Sequence, residues 1–228
     1  MMWEWWQRLK DSGAVWEFPN DMRAPHVVLR SGKHSDGFID TLQYLSLIPN
    51  LRAASVALAR ALRSKTRGVP IDWVFGSPMA GIPIAVAAGF VLNAQYVAFT
   101  EKTGKDKELV CRFNVPEGEN VLLIEEMTTT GGTPQRGIDA ILARNPGANV
   151  VPFVGAFLTH NGNTPPGLLD AELVSVVDTQ ELGISYNEWE PAECPLCAGG
   201  SIPVTQVKRV WRDLVQTMKD PSHPVPMA

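Results

Sequence analysis

A chain of 228 residues with 45% hydrophobic content can bury one large core. Its formal net charge of −4, with no basic stripe, argues against a duplex nucleic-acid binder. Cys111, Cys194 and Cys197 are odd in number and spread out, so they form no disulfide framework and suit a reducing compartment. Near the N-terminus Glu4, Arg8, Lys10 and Asp11 interrupt the tryptophan-rich stretch, so neither a signal peptide nor a membrane span is expected and the protein reads as soluble and cytoplasmic.

Residues 3 to about 13 read as a short helix with Trp3, Trp6 and Lys10 along one side and Trp5 on another, tryptophans that core or subunit packing explains. In Pro25–Asp40 two short β runs flank a polar turn. Its Gly32-Lys33 pair lacks the earlier glycine and the strand-to-helix context of a phosphate-binding P-loop. Asn50 reads as the cap of a helix to about Lys65, with Leu51, Ala54, Leu58 and Leu62 on one face and Arg52, Arg60 and Arg63 off it. A strand over 72–75 runs into the loop Gly76-Ser77-Pro78-Met79-Ala80-Gly81-Ile82-Pro83, followed by a helix to about Leu92 whose small residues let it lie close to a sheet. Tyr96–Phe99 is another strand, and the charged run 100–108 reads as a solvated loop.

Val121–Ile124 are four consecutive aliphatics, the pattern of a short parallel strand buried on both faces. Glu125 and Glu126 stand where that strand is expected to end. Thr128, Thr129, Thr130, Gly131, Gly132 and Thr133 follow, a loop whose N–H groups can converge on an anion, with Thr133 as N-cap and Pro134 in the first helical position. Acids beside a phosphate cradle make sense when ribose hydroxyls or a hydrated divalent metal lie between them, so the implied ligand is a sugar phosphate. The unit over 72–92 repeats this strand, loop and helix, which brings two anion-binding loops to one edge of a parallel sheet. Two apolar strands remain, 150–158 and 172–177. Pro152 cannot donate to a ladder, so the first starts after it or is irregular there. Cys194-Pro195-Leu196-Cys197 is a Cys-x-x-Cys knuckle. A structural zinc site needs four ligands, and the chain offers one distant cysteine and four scattered histidines, so a reduced structural turn is the expectation unless two chains share a metal. Gln206–Lys219 reads as the last helix.

The stretch 121–133 resembles the phosphoribosyl pyrophosphate (PRPP) motif of the type I phosphoribosyltransferases, and the chain from about 15 to 200 is similar to the orotate phosphoribosyltransferases. The resemblance implies an α/β fold, one domain over 1–228: a parallel five-stranded core sheet flanked by helices, with a small hood from about 15–48 and about 180–205. It implies transfer of the phosphoribosyl group from PRPP to a pyrimidine-type base with release of pyrophosphate, in pyrimidine nucleotide synthesis. Mg²⁺ would be held through Glu125, Glu126 and the ligand. Residues 128–133 would take the 5′-phosphate. The loop Ser77, Pro78, Met79, Ala80 and Gly81 would hold pyrophosphate, with a cis bond between Pro78 and Met79. Arg30, Lys33, Phe38 and His160 would meet the base, Phe38 by stacking. A mobile loop would carry Lys102 and Lys105 as catalytic cations, Lys105 into the partner subunit of a homodimer. Neither a nucleic acid nor a membrane is expected as partner.

Departures from the family pattern lie in the same site. Glu126 replaces the usual aspartate, Ala80 a lysine of some members, Glu101 an arginine of the mobile loop, and Lys107 a histidine. Thr159-His160 stands where the orotate enzymes carry Asp-Arg, which leaves open which base is used. The changes at Glu126, Ala80 and Glu101 leave a second reading open, a non-catalytic PRPP- or nucleotide-binding regulatory protein on the same fold.

Overall fold

The computed structural model describes residues 1–66, 68–104, 108–160 and 171–226. In chain order the N-terminal elements are α1 (Met2–Asp11), β1 (Val15–Glu17), β2 (His26–Val28), β3 (His34–Ser35), β4 (Gly37–Ile39) and α2 (Thr41–Leu45). The middle of the chain gives α3 (Ile48–Thr66), β5 (Trp73–Gly76), α4 (Gly81–Leu92), β6 (Tyr96–Phe99), β7 (Glu101–Thr103), β8 (Glu108–Val110), β9 (Asn120–Thr128), α5 (Gly132–Arg144), β10 (Asn149–Thr159) and β11 (Glu172–Asp178). The last part holds β12 (Glu188–Trp189), α6 (Pro195–Ala198), β13 (Pro203–Val204) and α7 (Trp211–Thr217). Two compact units emerge, Met1–Trp5 with Leu45–Gly183 and Trp6–Tyr44 with Ile184–Ala228. No helix among the described residues is long and apolar enough to cross a membrane.

The first unit holds a five-stranded sheet in the order β11-β10-β9-β5-β6, every pairing parallel, as the fold reading expects. Parallel strands covered by helices must be apolar on both faces, and Val121, Leu122, Leu123 and Ile124 are fully buried in the central strand β9. Leu123 and Val121 face the α5 side with Ile138 and Ile141. Ile124 faces the other side, where a Cβ on Gly155 would meet it together with Leu58 and Leu62 of α3. Burying each such aliphatic contributes roughly 1.5–3 kcal/mol. The small residues of α4 do bring it close: a Cβ on Gly89 would come within 2.9 Å of Val97.

Several element boundaries differ from the sequence expectation, each for a local reason. Glu125, Glu126, Met127 and Thr128 do not follow the strand; they are its last four residues, because the ladder to β10 continues through Leu158↔Met127 and Thr159↔Thr128. Helix α5 starts at Gly132 with Gly131 as N-cap at φ 75°, a left-handed conformation that glycine adopts without cost, so Thr133 and Pro134 lie inside the first turn. Asn50 likewise lies inside α3, whose Pro49 suits a first turn that has no use for its N–H. The last helix is shorter than read, since the Gln206 carbonyl accepts from Arg209 in a turn before Leu214 begins bonding back to Val210. The charged run after β6 pairs into the β7–β8 hairpin. Strand β10 shifts register against β9 between Val150 and Val154, an irregularity at Pro152.

The second unit carries a four-stranded sheet, β12-β3-β2-β13, and the antiparallel pair β1–β4. Its core gathers Trp16, Phe18, Val27, Leu196, Trp211 and Leu214. The buried indole N–H groups find acceptors: Trp16 donates to Thr217 Oγ1 at 3.2 Å and Trp211 to the Gly13 carbonyl at 2.8 Å. Of the N-terminal tryptophans, Trp6 is buried as expected, Trp5 packs edge-on against Phe157, and Trp3 is exposed.

Candidate active site

Numbered by position along the chain, the five sheet strands run second-first-third-fourth-fifth, so the order reverses between β5 and β9. In open α/β sheets the crevice at the carboxyl ends of the strands flanking such a reversal is where ligands bind. The loops leaving β5 and β9 are the two that the sequence marks as anion-binding.

At this edge the structure brings Glu125 and the 76–81 loop into contact. The Ser77 N–H donates to the Ile124 carbonyl at 3.3 Å. A Cβ on Gly76 would meet the backbone at Ile82 within 2.8 Å, so the loop turns back tightly on α4. The Pro78–Met79 peptide bond is cis. Met79 is exposed and Ala80 half-buried, while Ser77 and Gly81 are buried.

Glu125 is 3% exposed and its carboxyl is pushed up to about 8. Burial is the main cause. The Ser77 hydroxyl opposes it as a nearby dipole, the Glu126 charge adds to it, and Lys102 and Arg136 oppose it. Three buried polar atoms at this edge, Ser77 Oγ after β5, Thr100 Oγ1 after β6 and Glu125 Oε1 on β9, have no hydrogen-bond partner among the described residues. Each such group costs about 1–3 kcal/mol, and a cluster of them at one strand edge suits a polar ligand. Sequence reasoning missed Thr100 and Arg136; no motif marks a lone hydroxyl or an arginine in a helix.

On the β9 loop, Thr128 Oγ1 accepts from the Gly131 N–H at 3.2 Å, while Thr129 and Thr130 are exposed. The Gly132 and Thr133 N–H groups belong to the first turn of α5, where intrahelical acceptors are lacking. The Thr133 hydroxyl accepts from Arg136 at 3.3 Å. His160 joins this edge: its N–H donates to the Thr128 carbonyl at 3.0 Å, and its Nδ1 is 3.1 Å from Thr179 Oγ1. Burial holds the imidazole below its ordinary value.

Lys102 is exposed on β7. Glu101 beside it is paired with Arg112 at 3.2 Å, and that guanidinium also lies over the rings of Phe99 and Phe113. Lys105 and Lys107 lie outside the described residues.

In the second unit Arg30 and Phe38 share a cleft of about 440 Å³, which Lys208 and Arg209 also line. Both fall in the segment read as the last helix, and no motif marks them there. Phe38 rests on Trp211, ring centroids 5.7 Å apart. Lys33 does not line this cleft; its Nζ is 3.8 Å from Glu190 Oε1.

No protein-family model matches the chain. It is 33% identical over 176 residues to the orotate phosphoribosyltransferase of Heliobacterium modesticaldum, covering 77% of this chain and 85% of the relative. Among solved structures it is similar to the orotate phosphoribosyltransferase of Aeropyrum pernix, with TM-score 0.60 and 21% identity over 78% of this chain and 97% of that one. The adenine phosphoribosyltransferase of Saccharomyces cerevisiae gives TM-score 0.57 and 18% identity over 76% and 99%. At those identities the solved structures speak for the fold.

Proposed function

The chain belongs to the orotate phosphoribosyltransferase family and is a phosphoribosyltransferase enzyme, and from that footing we propose how its residues divide the work. The reaction joins a pyrimidine-type base to C1 of the phosphoribosyl group of PRPP: the base nitrogen forms the new bond as the C1–oxygen bond to pyrophosphate breaks. Cationic character develops on the ribose, so the protein's task is positioning and electrostatics rather than covalent chemistry.

Residues 128–133 anchor the 5′-phosphate on the α5 N-terminus, and Ser77 to Gly81 hold pyrophosphate. Glu125 and Glu126 hold the ribose hydroxyls. The same two carboxylates would hold Mg²⁺, whose chemistry when bound would be to offset the negative charge of pyrophosphate. Glu125 fits that role because it is a buried carboxyl with an oxygen that lacks a partner among the described residues. Lys102, and Lys105 acting across a homodimer, supply further positive charge. Arg30, Lys33 and Phe38, and separately His160, are assigned to the base.

The observation that supports this reading best is the row of polar atoms without a hydrogen-bond partner among the described residues, Ser77 Oγ, Thr100 Oγ1 and Glu125 Oε1, at the carboxyl edge beside the strand-order reversal. Pyrophosphate release from PRPP and Mg²⁺ in the presence of a panel of bases tests it, with Glu125→Ala as the control.

A further inference from the structure

The second unit contains a cluster that phosphoribosyl transfer does not use. His26 on β2, His34 on β3, and Cys194 and Cys197 of the knuckle around α6 each direct one ligand atom to a common point, all four atoms lying within 4.8 Å of one another. We propose that these four side chains bind one structural Zn²⁺, which fastens the β2–β3 hairpin to the Cys-x-x-Cys knuckle.

Four of the six ligand-to-ligand distances lie near the edges of a tetrahedron. With Zn–S of about 2.3 Å and Zn–N of about 2.0–2.1 Å, ideal N···S edges are about 3.6 Å and the N···N edge about 3.3 Å. Here His26 Nε2 is 3.6 Å from Cys194 Sγ and 3.5 Å from Cys197 Sγ, and His34 Nδ1 is 3.3 Å from Cys197 Sγ. The two ring nitrogens are 2.9 Å apart, slightly inside the ideal edge. A hydrogen bond between two imidazoles would account for that pair alone. It would not account for two thiols, both free of disulfide, converging on His26 Nε2.

The surroundings orient the ligands. The Ser201 hydroxyl donates its one proton to the Ala24 carbonyl at 2.7 Å, so toward His26 Nδ1, 2.9 Å away, it can only accept. His26 therefore carries its proton on Nδ1 and presents the Nε2 lone pair to the cluster, the second-sphere arrangement expected of a metal-bound histidine. Three of the ligands are buried and Cys197 is half-buried, as in a closed structural site with four protein ligands. The S₂N₂ set selects zinc; a two-iron cluster would need its ligand pairs on separate irons.

His26 and Cys194 are 168 residues apart in sequence, so the metal would close a long loop between the two chain segments that build this unit. The test uses the full chain, expressed with zinc in the medium and purified without chelator. Elemental analysis should give one zinc per chain, and the Cys194→Ser/Cys197→Ser pair should give none and melt roughly 5 °C or more lower. Should that variant not fold, the wild-type protein serves: chelation should remove the zinc and lower the melting temperature. Replacement by Co²⁺ should then give thiolate-to-cobalt absorption and the strong visible bands of tetrahedral cobalt. Wild-type protein that carries no zinc and gives no tetrahedral cobalt spectrum overturns the proposal. So does zinc retained by the double cysteine variant, or an iron–sulfur chromophore in place of zinc.

Discussion

Gly81 is a glycine because the Ile124 carbonyl of β9, one residue before Glu125, lies directly beneath it. A Cβ at position 81 would stand 2.9 Å from the Ile124 carbonyl oxygen and 3.4 Å from both Glu125 Cα and Glu125 Oε2. The first contact is with backbone and cannot be relieved by rotating a side chain. Gly81→Ala should therefore cost about 1–3 kcal/mol in denaturant unfolding, and it should depress turnover more than a comparable destabilisation elsewhere, because it displaces the 76–81 loop from the acid. Leu123→Ala on the buried α5 side, costing about 2–5 kcal/mol, is the comparison: its stability loss should carry no specific loss of PRPP affinity.

Glu125 sets a pH dependence. Its folded value of about 8 lies above the ordinary 4.5, so the native state keeps a proton that the unfolded chain has released across that window. Stability of the ligand-free protein should fall as pH rises through it, by a few kcal/mol at most from this one group. Unfolding followed from acid to mildly alkaline pH should show a shallower fall in Glu125→Gln than in the wild type. Binding of PRPP with Mg²⁺ needs the ionised acid, so it should release a proton near neutral pH, seen as a buffer-dependent calorimetric heat that the variant lacks. Identical pH profiles in the two proteins would remove Glu125 from this role.

Much of the site was legible in the sequence, because a run of four aliphatics, two acids and a hydroxyl- and glycine-rich loop is local. The boundaries were less legible. Composition does not reveal that the ladder to β10 carries Glu125 to Thr128 inside the strand, or that Gly131 rather than Thr133 caps α5. The His26, His34, Cys194 and Cys197 cluster was hidden for a different reason: the two pairs are far apart in sequence, and only folding brings the histidines to the knuckle.

His160 replaces the charged fork that the family resemblance leads one to expect for a carboxylated base. Losing such a contact should weaken orotate binding by about 1.5–3 kcal/mol. Burial lowers the imidazole's proton affinity, so it should gain charge only below its ordinary pH of about 6.5. Calorimetry with pyrophosphate present should show orotate affinity flat from neutral to mildly alkaline pH and rising in acid. His160→Ala should abolish the rise; a rise that survives it belongs to another group.

Lys105 is assigned to the partner's site in a homodimer. Mixing Lys105→Ala chains with Glu125→Ala chains under conditions of subunit exchange should restore activity in part, since one kind of mixed site is then intact. A mixture as inactive as its parents, with exchange demonstrated, would place Lys105 in its own subunit's site or outside the reaction.

The proposed turnover lies at the carboxyl edge of β5 and β9. The direct measurement is pyrophosphate release from PRPP and Mg²⁺ with orotate, uracil and other pyrimidine bases, run beside Glu125→Ala. On the proposed chemistry, release should depend on a pyrimidine base and fall by about 10²-fold or more in the variant. PRPP binding with no pyrophosphate released for any base, or release undiminished by Glu125→Ala, would contradict it.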